Sequence, residues 1–502
     1  MASTHEDATS RKRGPQSQSP SIRHASPYDS DGDSDSDHEH LQSSTKKTRP
    51  AVQHAASSNL WLDTVNRYML DFDFEKLCSV SLTNLNVYAC LVCGKYFQGR
   101  GPSSHAYTHS LHQGHHVFIN LETLKVFILP DGYEVVDASL SDIKHVLKPT
   151  FTKEQVQGLD KGPLKYSYDL NNKKYLPGFV GLNNIKANDY VNVVVQSLAH
   201  VKPLRDYFLV HDPPSSSSEL VKRFGMLLRK MWNPRAFKGQ VSPHELLQQI
   251  TATSQKRFTM ALQSDAIDFL SWFLNNLHLG LGGSKKTTTI IHDIFQGEVQ
   301  IQQQTMLPPT GNLDDDAIRK RFDEAREIST TRTPFLFLAL DLPPPPLFTD
   351  ELEKNIIPQV NLETLLKKYD GSTAQDTGLV VKRYKITKLP QYLIFHIKRF
   401  TKNNFTEEKN PTIVNFPIKQ LDMRDYVQGP DALAETRYDL VANICHEGAP
   451  QAGKGAYKAQ VHSNNHWFMI QDLFEEQIRP EMIFLSESYM QLWERRSNST
   501  TT

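Results

Sequence analysis

Two thiols set two residues apart and followed by a crowd of imidazoles form the most chemically loaded stretch of this 502-residue chain. Cys90 and Cys93 close the run Cys90-Leu91-Val92-Cys93. Five histidines follow within 23 residues of Cys93: His105, His109, His112, His115 and His116. A Cys-x2-Cys pair makes a tight knuckle that aims both sulfurs at one point, and two later nitrogens can complete a tetrahedron around zinc. Four protein ligands leave no open position for a substrate, so the expected zinc is structural. Binding it would supply folding energy to a short, glycine-rich segment. Spacing alone leaves open which two histidines ligate.

Composition bounds the rest. Lysine plus arginine equals aspartate plus glutamate at 56 each, so bulk charge steers the chain toward neither nucleic acid nor membrane. There are four cysteines, Cys78, Cys90, Cys93 and Cys445, too few for a secreted disulfide scaffold of this length. The opening MASTHEDATSRKR has no apolar run of the kind a secretory signal needs. No stretch reaches about 18 uninterrupted apolar residues, so no membrane span is expected. These features together read as an intracellular protein in a reducing compartment.

The elements that must position the thiols and imidazoles begin late. Residues 1–57 are rich in Ser, Asp, Pro, His and Lys and are expected to be a disordered polar tail. The clusters Arg11-Lys12-Arg13 and Lys46-Lys47-Thr48-Arg49 suit nuclear import signals, and the serine-acid run Ser30–His40 suits phosphorylation. A first domain is expected over 58–147, with two strands in Val117–Leu129 turning at Glu122-Thr123. Polar residues 148–175 read as a linker. A second domain, 176–496, opens with helical patterns at Ala187–His200, Leu220–Trp232, Ser242–Ile250 and Asp265–Leu279. Strand patterns follow at Phe335–Leu342, Tyr392–Phe400, Tyr438–Gly448 and Ala456–Ser463. Helices first and strands later predict an α+β fold. The run LDDDAIRKRFDEAREIS between them reads as an exposed charged insertion.

The first domain resembles the UBP-type zinc finger found beside ubiquitin proteases, whose motif is CLxC, a GR pair, a helical histidine and a GH turn. The resemblance assigns the zinc ligands to Cys90, Cys93, His109 and His115, with Gly99-Arg100 and Gly114-His115 on the two dipeptides. A further site in many members uses His105 and a cysteine just before the GR pair. Gln98 stands there and Cys78 is left without partners, so one zinc is expected. Some such fingers bind the ubiquitin C-terminus through the GR arginine and an aromatic, here Arg100 and Tyr88.

The second domain resembles the ubiquitin-specific proteases, which implies a papain-like fold. GLNNIKANDYVNVVVQSL (Gly181–Leu198) is similar to their cysteine box GLxNxGNTCYMNxxLQxL, but the nucleophile position carries Asp189. The histidine box GHYxxxV becomes Gly455-Ala456-Tyr457-Lys458-Ala459-Gln460-Val461, with Ala456 in place of the base. Gln471 occupies the position of the orienting acid, with Asp472 beside it. Isopeptide hydrolysis by this route needs a thiolate, an imidazole and a group to orient it. Asp189 is a weak nucleophile toward an amide and Ala456 moves no proton, so no catalytic residue is expected; Asn184 remains as an oxyanion remnant. Cys445-His446 is not a substitute dyad, because strand neighbours point to opposite faces.

Long stretches such as YACLVCGKYFQGRG, YLPGFVGLNNIKANDY and YLIFHIKRFTKNNFTEEKNPTIVNFPI are similar to one branch, the SAD-type spliceosomal proteins. That resemblance covers roughly residues 60–495. It implies a nuclear, non-catalytic role in splicing through assembly or maintenance of the tri-snRNP, with tri-snRNP and other spliceosomal proteins as partners. The alternatives it leaves are a residual deubiquitinating thiol hydrolase and a receptor that binds ubiquitin or a ubiquitin-like protein without cleaving it. Direct RNA contact would fall to Lys398-Arg399 and Lys402, or to Arg223 and Arg229-Lys230.

Overall fold

A computed structural model describes residues 61–305, 328–344, 357–376, 380–402, 407–449 and 454–497. The tail with its basic clusters and serine-acid run, and most of the charged insertion, lie outside the described residues.

The finger is a five-stranded antiparallel sheet with β1 (Val87–Cys90), β2 (Tyr96–Gln98), β3 (Val117–Asn120), β4 (Val126–Ile128) and β5 (Tyr133–Val135), in the order β2-β1-β3-β4-β5. Side chains alternate across a strand, and both faces of this sheet are covered. Val87, Ala89, Val117, Ile119, Val126 and Ile128 face one core with Leu140, Ile143 and Leu147. Tyr88, Cys90, Phe118 and Phe127 face a second core with Phe97 and Ala106. This explains why β1, β3 and β4 read as continuous apolar runs. Helix α1 (His105–Gln113) ends at Gly114, whose φ of 65° is the left-handed stop that glycine supplies most readily. Helix α2 (Ser141–Leu147) closes the first core.

Residues 148–175, expected as a linker, are mostly exposed but are anchored to the domain that follows. Helix α3 (Lys153–Gln157) is held by a capping box between Thr152 and Gln155, and its Val156 is buried. Asp160 just beyond it makes a two-pronged ion pair with buried Arg205, at 3.0 and 2.6 Å.

Among the described residues, the large domain places six helices before its main sheet: α4 (Asp189–Leu198), α5 (Lys202–Val210), α6 (Glu219–Met231), α7 (His244–Thr253), α8 (Ala266–Gly280) and α9 (Ile290–Phe295). The helix expected from Ala187 starts two residues later. Asn188 accepts from the Ile185 amide at 2.7 Å and its own amide donates to Asn184 at 3.1 Å, which holds the chain in a turn. All ten residues of α4 are buried. The main sheet runs in the order Leu338–Asp341, Tyr392–Lys398, Ser488–Arg495, Arg437–Gly448, Gly455–Ser463, His466–Gln471, Phe474–Ile478, with Leu421–Asp422 paired to Arg437–Gly448. Tyr392 and Ile394 face the helices, whereas Leu393, Phe395 and Ile397 face a separate core on the other side. The run Phe335–Leu342, expected as one strand, is divided. Phe335 ends Ser329–Phe335 of a four-stranded sheet, and Leu338–Asp341 joins the main one.

The finger and large domain meet through the alternating run Asp71-Phe72-Asp73-Phe74-Glu75. Lys230 Nζ, on α6, donates to the Phe72 carbonyl at 3.0 Å and to Asp73 Oδ1 at 2.8 Å. The other Asp73 oxygen accepts from the Ser242 amide at 3.1 Å. Asp71 pairs with Lys238, and Glu75 faces His244 at 3.4 Å. Phe237 of the large domain enters the finger core. Burial works to pull the Lys230 pKa down, but Asp73, Glu245 and Asp71 outweigh it and the net shift is upward. Removing one partner of such a buried pair leaves an uncompensated charge, typically at about 3–5 kcal/mol. Asp73→Ala should therefore destabilise the zinc-loaded full chain by roughly that amount in guanidinium denaturation. The double variant Asp73→Ala/Lys230→Met should recover part of the loss. A single-variant cost under about 1 kcal/mol, the level of an exposed pair, would refute a buried clamp.

Candidate metal centre and the cleft beneath the first helix of the large domain

Cys90 closes β1, Cys93 lies in the turn after it, His109 sits in the middle of α1 and His115 follows the Gly114 stop. The turn is built around Gly94, which has a φ of 75°. A Cβ there would stand 2.0 Å from the Met69 carbonyl oxygen, so the knuckle is pressed against the lead-in segment and only glycine fits. The four side chains converge, with one donor atom from each within 4.8 Å of all the others. Cys93 Sγ lies 3.5 Å from His109 Nε2, and His109 Nε2 lies 3.1 Å from His115 Nδ1. Tetrahedral zinc with such ligands needs donor separations of about 3.3–3.8 Å, so the donor types fit and small side-chain adjustments bring the spacing to it. The His109 ring stacks on Phe97 at 4.2 Å and meets Phe118 edge-on, which fixes its direction.

The remaining histidines do other work. His116 Nδ1 donates to the Leu129 carbonyl at 2.7 Å, and its ring lies tilted against Trp61; His105 and His112 stand outside the cluster. Where a further finger site would form, Gln98 accepts from the Ser81 hydroxyl at 3.0 Å. Buried Cys78 accepts from the Val80 and Ser81 amides at 3.5 and 3.4 Å. No second metal-holding group is found among the described residues.

Of the two residues expected to meet a carboxyl tail, only Arg100 is exposed, its guanidinium 4.5 Å from the centre of the Phe127 ring. Tyr88 is 4% exposed and lies edge-on to Phe127 inside the second finger core.

The cleft of the large domain forms around the start of α4. Asp189 is buried, and its Oδ2 accepts from Gln263 Nε2 at 2.6 Å and from the Tyr457 amide at 3.1 Å. Gln263 also donates to the Gly455 carbonyl at 3.0 Å. Oδ1 of Asp189 is buried with no hydrogen-bond partner. The carboxylate is thus tied to the strand that carries Ala456, which offers only a methyl group beside it. Three residues further along α4, Asn192 donates to Asp472 Oδ1 at 2.9 Å, and Asn184 donates to Asp472 Oδ2 at 3.0 Å. Asp472 sits at a φ of 51°, and its carbonyl accepts from the Leu182 amide. Gln471, expected at the acid position, forms no hydrogen bond with Asp189; its neighbour Asp472 bonds to the residues at the start of α4. Sequence reasoning noted Asp472 but not these bonds, which span 280 and 288 residues.

Cys445 is buried and its thiol is pushed up to about 12 by burial. His446 packs between Phe400 and Tyr457, and burial pulls it to about 4. Most of the basic residues expected to offer themselves to RNA are engaged within the chain, Lys398 in an exposed pair. Arg399 is fully buried and donates to the carbonyls of Ser488, Asn410 and Thr412. Arg229 binds the Phe208 carbonyl and Asp212, Arg223 pairs with Glu245 and Glu219, Lys398 pairs with Asp341, and Lys230 forms the clamp. The side chain of Lys402 lies outside the described residues.

Two family models match the chain: "Zn-finger in ubiquitin-hydrolases and other protein" over residues 78–140, and "Ubiquitin carboxyl-terminal hydrolase" over residues 180–493. A mouse protein named ubiquitin carboxyl-terminal hydrolase 39 is 52% identical over 459 residues, covering 88% of this chain and 80% of the relative. A fission yeast (Schizosaccharomyces pombe) protein named probable mRNA-splicing protein ubp10 is 51% identical over 453 residues, 88% of this chain and 89% of the relative. A crystal structure described as an essential yeast splicing factor superposes with a TM-score of 0.71 at 29% identity, covering 87% of this chain and all of that one.

Burial raises the Asp189 pKa above its ordinary value; the Tyr457 amide and Gln263 oppose this, and Asp472 adds to it. A carboxyl group whose folded pKa is raised lowers stability as it ionises. The loss begins as pH rises through the unfolded value of about 3.9 and grows up to the raised folded value. Asp189→Asn removes this dependence and keeps an oxygen for Gln263 and Tyr457. Guanidinium midpoints from about pH 4 to about pH 8 should show the variant gaining on the wild type as pH rises. A constant gap would contradict a buried, ionisable Asp189.

Proposed function

The chain belongs to the ubiquitin carboxyl-terminal hydrolase family, and from that premise we propose that it serves pre-mRNA splicing as a docking protein and not as a hydrolase. The observation that carries this reading is the cleft at α4. Where the resemblance puts a nucleophile and its base, the chain has a buried carboxylate bonded to a backbone amide and, beside it, a methyl group. An imidazole-activated thiolate cannot form from these groups. Gln263 and Tyr457 join the two sides of the cleft through Asp189, so the groups that would part around a substrate tail are tied together. Losing two members of a catalytic unit leaves binding and the oxyanion remnant Asn184, whose side chain donates to Asp472.

A relative named for splicing shares 51% of the residues over 88% of the chain, so the same work in the nucleus is assigned to this chain. Its partners are then spliceosomal proteins, the tri-snRNP among them, and a ubiquitin-like partner would meet it without being cut. The finger holds one structural zinc through Cys90, Cys93, His109 and His115; bound there, zinc would fix the knuckle, α1 and the segment after Gly114 in one arrangement. The thiolates and the directed His109 ring are this chain's contribution to that hold.

Three measurements test the reading. Affinity purification from nuclear extract should enrich splicing proteins and small nuclear RNAs; recovery of neither would defeat it. A ubiquitin probe with a C-terminal electrophile should leave the chain unlabelled, and a covalent adduct at Cys445 would restore the hydrolase alternative. Metal analysis should return one zinc per chain, lost in Cys93→Ala together with thermal stability; two equivalents would contradict the single site.

A further inference from the structure

A cavity of about 530 Å³ opens between the packed segment around α3 and the large domain, and shares no lining residue with the metal cluster or the Asp189 cleft. Its size falls within the range of sites that hold a bound ligand or an inserted side chain. One wall is rigid for reasons already visible: the capping box at Thr152, buried Val156 and the Asp160–Arg205 pair fix the segment to the helices. Phe151, Leu159 and Leu164 line it half-buried, set against the main core. Exposed Lys161, Lys165 and Arg235 stand around it and have no ion-pair partner among the described residues. Glu154 is the lone acid among the lining residues.

An apolar hollow with an unpaired cationic rim selects an anionic partner that also carries something apolar to bury. Two macromolecules fit that outline, and the aromatic groups decide between them. Phe179 and Trp232 line the cavity but are only 2% and 4% exposed, and Phe151 is half-buried against the main core, so no lining phenyl or indole ring stands fully open for a base to stack on. The accessible apolar groups are the side chains at the mouth, which suit an aliphatic anchor. Ser463 and Asn464 reach the cavity from a hairpin whose two turn residues, Asn464 and Asn465, both have positive φ, so a polar backbone and side chain are presented at one end.

We propose that this cavity is a docking site for an acidic linear peptide that inserts one aliphatic side chain. The site lies on a different surface from the cleft and does not depend on the splicing reading, so either can fail alone. The test uses the zinc-loaded full chain and a fluorescein-labelled nine-residue peptide of aspartate and glutamate with a central leucine. Saturable polarisation is expected, about tenfold weaker when the leucine is replaced by serine and about tenfold weaker for the protein variant Lys161→Glu/Lys165→Glu, each factor corresponding to about 1.4 kcal/mol. Both lysines are exposed, so the variant should keep the wild-type melting temperature. The proposal is overturned if the leucine peptide does not bind, if the serine peptide or a lysine-rich counterpart binds equally well, or if the charge reversal has no effect. It is also overturned if a uridine oligonucleotide of similar length binds more tightly, or if the site is covered by self-association seen in sedimentation.

Discussion

A lysine ammonium can remain charged away from water only if anionic or carbonyl oxygens come to it. Lys230 on α6 meets this requirement with groups from outside its own domain: the Phe72 carbonyl and the Asp73 carboxylate of the segment leading into the finger. The arrangement of the described chain depends on that meeting. Asp73 also caps the Ser242 amide just ahead of α7, while Phe72 and Phe237 from opposite sides fill the first finger core. The same lead-in segment presses Met69 against Gly94, so the clamp and the thiol knuckle share one stretch of backbone. Holding the finger to the large domain and shaping the metal cluster are therefore one mechanical problem.

The cleft at α4 follows from a second constraint, the cost of an unpaired buried carboxylate. Asp189 is a poor group to bury, and the surroundings answer it with Gln263 and the Tyr457 amide. Asp472 is answered in the same way by Asn184 and Asn192. On the proposed reading these bonds hold in place a cleft that carries out no hydrolysis. The polar residues of the old catalytic region then serve packing, and the surface available for partners shifts elsewhere. The mouth around Phe151, Leu159 and Leu164 is one such place, made by a segment whose polar composition had suggested a loose connection.

Legibility differed by the range of the interactions involved. The helices after Asp189, Glu219, His244 and Ala266 follow from apolar spacing and local caps such as Ser218 and Asp265. The strands Tyr392–Lys398 and Arg437–Gly448 follow from apolar alternation and β-branched content. The gathering of Cys90, Cys93, His109 and His115 agrees with a motif confined to 26 residues. The anchoring of residues 148–175 was not legible, because one buried valine and one aspartate do not stand out in a polar run. Nor was the fate of the basic residues: Arg229 and Arg399 look like surface charges in sequence, and only the carbonyl oxygens around them show that they are interior. Tyr88 looked available because nothing local says that Phe127 covers it.

The sequence by itself determined the groups that are present: two thiols and nearby imidazoles in one window, and no cysteine or histidine at the positions where the resemblance expects a catalytic pair. Those are statements about composition at a position, and no fold can supply a missing side chain. The tertiary structure decided which groups meet. Asp472 in place of Gln471, Gln263 on Asp189, and Lys230 on Asp73 are contacts between residues 74 to 288 positions apart or between separate domains. Such contacts depend on how whole elements pack, and the energy that selects them is spread over cores that no short stretch of sequence contains.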